Sequence, residues 1–464
     1  MDDDMSEEIE NRRDTRRCVY LGEGIKVYIK DLDEVRSIHG EITDISPLGC
    51  NIYIADQKLA TYPKKGDTIK IFYNTREKKT FTCKGRVAYV ISKLIDDIKY
   101  LRYGIEIINE YITKPEVANI KYYDIPDIFT PHCWCGDAFF FQEKIIFKVK
   151  SLHSNGMVLL TSARNKTLLP NLELQLKVSI PALDEFIVNT KIAQVTNSTK
   201  ANEKDKYYVH VNFENKNTKF LQVFVEYVLF CGVEVTPKEL RENNLPVDII
   251  ENSLSHYYAM DKFDLEKVYE LRKIGLFEEI PKIISESVVE NESNQNDDPY
   301  RDKFDEYSRQ LICKVGKKAV ACLRIIYNHQ NQEKTELNEF CESIPDWLST
   351  KKFVEVSRFA WDKDYRESDV FINMIRQVVR IVIESGHTHI VTSSPEPLKP
   401  LYTKVGFQAL EIPWKEKYSD IKKKETLLFL DAKGILAGEI VIEKFIWNKI
   451  YSRVANYLGI SMKE

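Results

Sequence analysis

Three groups of residues in this chain combine types and spacings that could do chemistry. Arg12, Arg13, Arg16 and Arg17 place four guanidiniums within six positions. Such a cluster repels itself unless an anion neutralises it, and each planar fork of donors matches phosphate oxygens bidentately. Asp44, Ser46 and Gly49 lie in a short turn between two apolar runs. They supply a carboxylate and a hydroxyl that can grip a base edge, and a glycine that lets a ligand approach the backbone. Glu355, Ser357 and Arg358 share a later apolar run, and Arg324 sits in the one before it. A carboxylate on a strand can take the proton of an attacking amine, directly or through water. Backbone N–H groups of a splayed strand can stabilise an oxyanion. Arginines beside it can hold a carboxylate or phosphate.

Plainer readings stand beside these. A charge run near a terminus is commonly a solvated tail, and Asp-x-Ser-x-x-Gly alone is an ordinary turn. Glu355 and Arg358, three apart, can form a structural ion pair. Tyr402 can be a packed aromatic, and His387 and His389 can cap or pack at a helix end.

The chain has 464 residues, enough for two to four domains, and a net charge of −4. That charge argues against general nucleic-acid binding; the basic character is local. No uncharged apolar run is long enough for a transmembrane helix. The acidic start, Met1-Asp2-Asp3-Asp4, lacks the pattern of a signal peptide, so a cytoplasmic protein is expected. The nine cysteines are scattered and odd in number, which argues against a disulfide framework. His132-Cys133-Trp134-Cys135 has no second ligand pair nearby, so no metal is expected.

The positioning elements show as periodicity. After a disordered tail over 1–10, period-two alternation over 18–112 argues six short strands in a barrel or sandwich. Asp124 to Pro131 reads as a linker. Residues 138–232 repeat the strand style and end in a helix over Phe220 to Cys231. The segment 233–262 is polar and reads as a joint. From Asp261 the apolar spacing turns helical. There follow a polar loop over 285–303, a hairpin about Gly316, a strand over Phe353 to Trp361, and a helix over Val370 to Ser385. A strand over His389 to Thr392, a short helix over Pro397 to Val405, strands over Phe407 to Ile412 and Thr426 to Leu430, and a helix over Glu439 to Tyr457 complete an α/β layer.

Arg13-x-x-x-Arg17 followed by Asp44-x-Ser46-x-x-Gly49 resembles the PilZ family of cyclic di-GMP receptors. Gly66, Gly85-Arg86-Val87 and Arg102-Tyr103-Gly104-Ile105-Glu106 extend the match over roughly residues 10 to 112. The resemblance implies an antiparallel six-stranded barrel over 11–125, with the arginine loop wrapping cyclic di-GMP. Arg12 and Arg16 are the alternative register of the same spacing. Residues 126–235 are similar in order and spacing, without the arginine pair. There Ser151, Ser154 and Gly156 only echo the second motif, implying a degenerate, non-binding barrel.

Glu355-Val356-Ser357-Arg358-Phe359-Ala360 resembles the core of acyl-homoserine-lactone synthases and of long-chain N-acyl amino acid synthases. Leu271-Arg272, the segment from Asp302 to Tyr307, and Arg324 match in order. Leu401-Tyr402-Thr403-Lys404-Val405-Gly406-Phe407 resembles the ending common to GNAT acyltransferases. This second resemblance implies an α/β GNAT-like unit over 236–464 in a bacterial enzyme. Glu355 would be the base and Tyr402 the acid, with Arg358 beside them. Arg324, Ser357 and Arg366 would bind substrate or acyl donor. The place of the usual glycine-rich pyrophosphate loop reads Asp364-Tyr365-Arg366-Glu367-Ser368-Asp369, without glycine. That makes acyl-carrier protein a more plausible donor than CoA, with Arg366 near the entrance. The fold expected is therefore two antiparallel β-barrels followed by an α/β domain. The function expected is cyclic di-GMP-regulated N-acyl transfer to an amino acid or small amine, and a homo-oligomer is compatible with it. The alternative is a cyclic di-GMP effector whose acyltransferase-like unit has lost its chemistry and binds a partner.

Overall fold

The computed structural model describes residues 17–18, 21–22, 24–30, 37–55, 62–108, 120–139, 143–181, 183–200, 203–279, 300–329, 335–416, 418 and 425–460. Arg12, Arg13 and Arg16 lie outside the described residues, and so does the expected tail over 1–10. Arg17 is described by its backbone. Chain contacts divide the molecule into two units. One holds residues 1–233 and 243–246, the other 234–242 and 247–464.

The first unit contains two closed antiparallel barrels. The first is built from β2 (Ile25–Lys30), β3 (Ser37–Ser46), β4 (Gly49–Ala55), β5 (Thr68–Asn74), β6 (Thr80–Ile95) and β7 (Ile98–Ile108). The strand order β3-β2-β5-β6-β7-β4 closes through a further pairing of β3 with β4. Alternation drives the closure: Ile25, Val27 and Ile29 of β2 are buried, as are Ile69, Ile71 and Tyr73 of β5. The two-residue β1 (Arg17–Cys18) adds to the outside of β3.

The second barrel uses β9 (His132–Gly136), β10 (Lys144–His153), β11 (Gly156–Ser162), β12 (Glu173–Ser179), β13 (Glu185–Asn197) and β14 (Lys206–Phe213). Its order β11-β14-β13-β12-β9-β10 closes through β11 and β10. The stretch expected to be a linker, Asp124 to Pro131, starts at the last residue of β8 (Tyr123–Asp124), which pairs with β10. Helix α1 (Thr218–Phe230) follows, as expected, and is capped by Asn217. The His-Cys-Trp-Cys segment proves to be strand β9. Cys133 and Cys135 point into the core, and burial pushes the Cys135 thiol up to about 12. Among the described residues no cluster of three His, Cys, Asp or Glu side chains is placed to hold a metal ion. The barrels touch directly: the Tyr73 hydroxyl donates to the carbonyl of Pro170 at 3.1 Å.

The second unit is an open sheet in the order β15-β16-β17-β18-β19-β21-β20. Its strands are β15 (Leu254–Tyr258), β16 (Arg309–Val315), β17 (Lys318–Tyr327), β18 (Phe353–Trp361), β19 (His389–Pro395), β20 (Gln408–Ala409) and β21 (Glu425–Asp431). Only the β18–β19 pair is parallel. Helices α2 (Pro237–Glu242), α3 (Lys262–Glu279), α4 (Glu336–Phe340), α5 (Asp346–Ser349), α6 (Val370–Glu384), α7 (Lys399–Lys404) and α8 (Ala432–Leu436) surround it. The polar joint thus contains an edge strand and a short helix. Helix α3 packs Val268 and Leu271 against Ile312, Ala319, Cys322 and Ala360 of the sheet. The expected last helix is interrupted: it starts at Lys444, passes through a π-turn over Trp447–Tyr451, and ends at Leu458 before Gly459. No helix among the described residues is long and apolar enough to cross a membrane.

Candidate functional sites

The turn of the β3–β4 hairpin carries the first site. Ser46 pairs with Gly49 across it, and the Ser46 hydroxyl donates to the Gly49 carbonyl at 3.2 Å. Asp44 and Ser46 are buried. Asn51 of β4 donates its side-chain amide to Asp44 at 2.8 Å, and the Tyr89 hydroxyl donates to the Asn51 side-chain carbonyl at 2.8 Å. The Arg102 guanidinium lies 5.8 Å from the centre of the Tyr89 ring.

Backbone pairing brings Arg17 here. Arg17 pairs with Ile45, and Cys18 with Asp44. The chain beyond β1 is held by Glu41, which accepts the N–H groups of Gly22 at 2.5 Å and Gly24 at 2.7 Å and pairs with Lys26. Burial raises the Glu41 carboxyl, but Lys26 and these two N–H groups outweigh it and hold the group below the ordinary carboxylate range. A side chain at Gly24 would collide with the Ile42 carbonyl, so this close approach needs glycine.

The second site begins where two parallel strands part. Pairing of β18 with β19 runs from Phe353–His389 to Glu355–Val391 and goes no further. Just past that point β18 bulges: three steps from Ser357 to Ala360 oppose two from Arg324 to Cys322. Arg358 absorbs the extra residue with a left-handed φ of 54°, a conformation that costs a non-glycine residue about 1–3 kcal/mol. Such strain persists only where surrounding contacts hold it, and here the Arg358 side chain is fixed to Asp302 at 2.8 Å.

Glu355 stands at the branch point and is buried. Its two oxygens accept the N–H groups of Glu336 and Leu337, each at 2.8 Å, at the start of α4. Burial first, and then the charge of Glu336, push its carboxyl up to about 8. Arg324 is wholly buried beside it. Its Nε donates to the Ser357 hydroxyl at 3.0 Å, and its terminal nitrogens reach Asp302, Asp305 and Glu336. Ser357 also donates to Glu336. One terminal nitrogen of Arg272, on α3, donates to both oxygens of Asp305, at 3.1 and 2.9 Å. Burial raises the Asp302 carboxyl, but Arg324 and Arg358 outweigh it and hold it down to about 2.

Of the expected pair, Glu355 and Arg358 do not bind each other. Each finds a separate partner, and Glu336, unmarked in the sequence reading, links Glu355 to Arg324. Its signal was Thr335, whose hydroxyl accepts the Asn338 N–H as a helix cap. Tyr402 lies on α7 among Phe371 and Phe407, both edge-on at 5.6 and 5.4 Å. Burial raises its phenol, so it stays protonated. Phe359 and Trp361 of β18 continue this aromatic wall to Phe371.

Three acids of the loop before α6 are ion-paired. Asp362 meets Lys318 at 2.8 Å, Asp364 meets Lys238 at 3.9 Å, and Glu367 meets Arg241 at 3.0 Å. The latter two cations belong to α2. Arg366 is half-buried in this loop.

No curated protein matches the chain in sequence. Among solved structures the chain is similar to FeeM, an N-acyl amino acid synthase from uncultured soil microbes. Identity is 11%, covering 39% of this chain and 93% of that one, at a TM-score of 0.28. It is similar to BjaI, a CoA-dependent acyl-homoserine lactone synthase, at 13% identity, over 46% and 90% of the two chains, with a TM-score of 0.29. It is similar to K. pneumonia MrkH in complex with c-di-GMP at 14% identity, over 45% and 89%, with a TM-score of 0.21. In sequence, residues 285–376 match the model of the acetyltransferase (GNAT) domain, and the mixed sheet of the second unit thus carries a GNAT domain.

Proposed function

We propose that this chain is a cyclic di-GMP-binding N-acyltransferase whose dinucleotide site regulates the transfer. The observation that carries the transferase reading is a buried carboxylate, raised towards neutrality, where β18 and β19 part inside a GNAT domain. The acceptor amine gives up a proton to Glu355 through water, since backbone N–H groups already engage both carboxylate oxygens. The amine nitrogen bonds to the thioester carbonyl carbon. The oxyanion faces backbone N–H groups of the β18 bulge. The C–S bond then breaks, the Tyr402 hydroxyl gives its proton to the departing sulfur, and water returns to Tyr402 the proton that Glu355 took from the amine. Arg358, half-exposed, faces the acceptor; Arg324 and Ser357 hold the frame of Glu355 rather than substrate. The donor is an acyl-carrier protein or acyl-CoA, received near Arg366. The glycine-free, ion-paired loop before α6 supports the carrier protein.

Support for the nucleotide site comes from the backbone pairing that sets Arg17 opposite Ile45, between Asp44 and Ser46. Arg13 and Arg17, or Arg12 and Arg16, then bind the phosphates. The first barrel over 11–125 binds, the second over 126–235 is structural, and 236–464 is the transferase.

A second reading is a non-catalytic effector. The observation favouring it is that Glu355, Arg324 and Ser357 all spend hydrogen-bonding capacity on protein partners. Transfer of label from an acyl thioester to an amine decides between them. The transferase reading expects turnover in the parent chain and its loss in Glu355→Gln. Undiminished turnover in a folded Glu355→Gln protein removes Glu355 as the base.

A further inference from the structure

Glu355 pairs across the sheet with Ile326, so the next residue of β17, Tyr327, points to the opposite face. On that face a cavity of about 400 Å³ is lined by His256 and Tyr258 of β15, Leu311, Tyr327, and Arg380 and Ile381 of α6. We propose that this cavity is a second small-molecule site, one that takes a carboxylate carrying a short apolar body. It is independent of the transfer chemistry.

Two polar atoms from different elements are left incomplete there. His256 Nε2 and Arg380 Nε are both buried without a hydrogen-bond partner. The acid nearest Arg380 Nε is Glu384, at 3.6 Å, an ion pair too long to be a hydrogen bond. Enclosed donors of this kind are costly unless something satisfies them. A third donor is available. The hydroxyls of Tyr258 and Tyr327 lie 3.1 Å apart, and once one donates to the other, a single hydroxyl hydrogen remains for a further acceptor.

The charge around the cavity selects the sign of the ligand. Arg309 lies over the rings of Tyr258 and Tyr327, at 5.3 and 5.7 Å. Arg376 approaches from α6 but is engaged by Glu251 and the Lys449 carbonyl. Burial and then the charges of Arg376 and Arg380 hold the His256 imidazole down to about 4, so it stays neutral and can donate from Nε2. Glu384 is the opposing charge on the cavity wall. A carboxylate is the acceptor that Arg380 Nε, His256 Nε2 and the spare tyrosine hydrogen lack, and it reaches the two covered nitrogens by a shift of the side chains over them, whereas a cation meets two guanidiniums. Leu311, Ile381 and the tyrosine rings supply the apolar wall for the body of the ligand. The volume lies in the range of small-molecule pockets.

Octanoate titrated calorimetrically into the full chain tests this, with octylammonium as the opposite-charge probe. Octanoate is expected to bind with a sub-millimolar Kd and octylammonium to bind at least tenfold more weakly. Arg380→Met, which keeps the packing stem, and His256→Phe are each expected to weaken octanoate at least tenfold, with Glu355→Gln unchanged. Tyr327→Phe, which removes only a hydroxyl, is expected to weaken it several-fold and decides the matter if the other variants do not fold. No octanoate binding to the parent chain overturns the proposal. So does equal binding of octylammonium, or octanoate affinity unmoved by the cavity variants and lost in Glu355→Gln.

Discussion

The carboxylate of Glu355 accepts the backbone N–H of Glu336 at 2.8 Å, while the Glu336 side chain turns away to Arg324 and Ser357. One acid thus sits beside another without touching it side chain to side chain. The backbone contact favours the ionised form of Glu355; the nearby charge and the burial oppose it more strongly.

The pH dependence of transfer follows from that balance. A base must be unprotonated, so kcat/KM rises with pH through about 8 and levels above it. Glu336→Gln keeps a hydrogen-bonding side chain but removes the charge, so the inflection moves to lower pH. An inflection that stays in place excludes Glu336 as its cause. Stability has the opposite slope. The folded carboxyl is raised above its ordinary 4.5, so the folded state holds the proton more tightly. Its contribution is full below pH 4.5 and is lost as the pH rises through about 8, at up to about 1.4 kcal/mol per unit. Denaturant midpoints across that window flatten in Glu355→Gln.

Arg324 and Arg358 separate a frame residue from a substrate-facing one. Arg324→Met strands Glu336 beside the buried Glu355 and leaves Asp302 to Arg358 and Asp305 to Arg272 alone. The expected cost is about 3–5 kcal/mol, read from the denaturant midpoint at constant m-value. Arg358→Ala breaks one partly exposed pair with Asp302 and costs within about 1 kcal/mol. Its effect appears instead in KM for the amine. Equal stability losses in the two variants contradict this division.

Charge-assisted bonds from arginine to phosphate are worth about 1.5–3 kcal/mol each. Arg13→Ala and Arg17→Ala are therefore each expected to weaken cyclic di-GMP by about tenfold to a hundredfold in calorimetry. Parent-like affinity in both, together with loss in Arg12→Ala and Arg16→Ala, assigns the other register. Parent-like affinity in all four removes the site.

A more distant substitution tests the hairpin itself. A methyl group at Gly104 would stand 2.2 Å from the Tyr89 ring, so Gly104→Ala must displace that ring from Asn51, which holds Asp44. Affinity for the dinucleotide falls several-fold although no contact residue has changed. Tyr89→Phe, which loses only the hydroxyl, falls less. If Gly104→Ala binds normally, the Tyr89–Asn51–Asp44 chain does not shape the site.

What was legible in the chain followed the strength of its periodicity. Strand β18 occupies the expected Phe353 to Trp361, and α6 ends one residue before its expected Ser385. Helix α6 has a continuous buried apolar face, and β18 is apolar on either side of Glu355, Ser357 and Arg358. Strand β15, Leu-Ser-His-Tyr-Tyr, lay inside the segment 233–262 that was read as a polar joint, and it is an edge strand paired with β16. His132 to Gly136 was given no element in the sequence reading; it is a strand whose alternation places its thiols inside a barrel. Helix α4 is five residues long, too short for any period to register, yet it supplies both N–H groups to Glu355. The residues of the site were visible by type. Their pairing was not, because Arg324, Asp302 and Glu336 meet only through the sheet, and the bulge at Arg358 leaves no mark in composition.

The central claim is that one chain joins a dinucleotide receptor to an acyl-transfer centre. The most direct measurement follows transfer of a labelled acyl group from acyl-carrier protein or acyl-CoA to a pool of amino acids, with and without micromolar cyclic di-GMP. The account predicts labelled amide product and a rate that changes several-fold with the nucleotide, the change being lost in Arg13→Ala and Arg17→Ala or, in the other register, in Arg12→Ala and Arg16→Ala. No labelled amide from either donor, in either state, contradicts it.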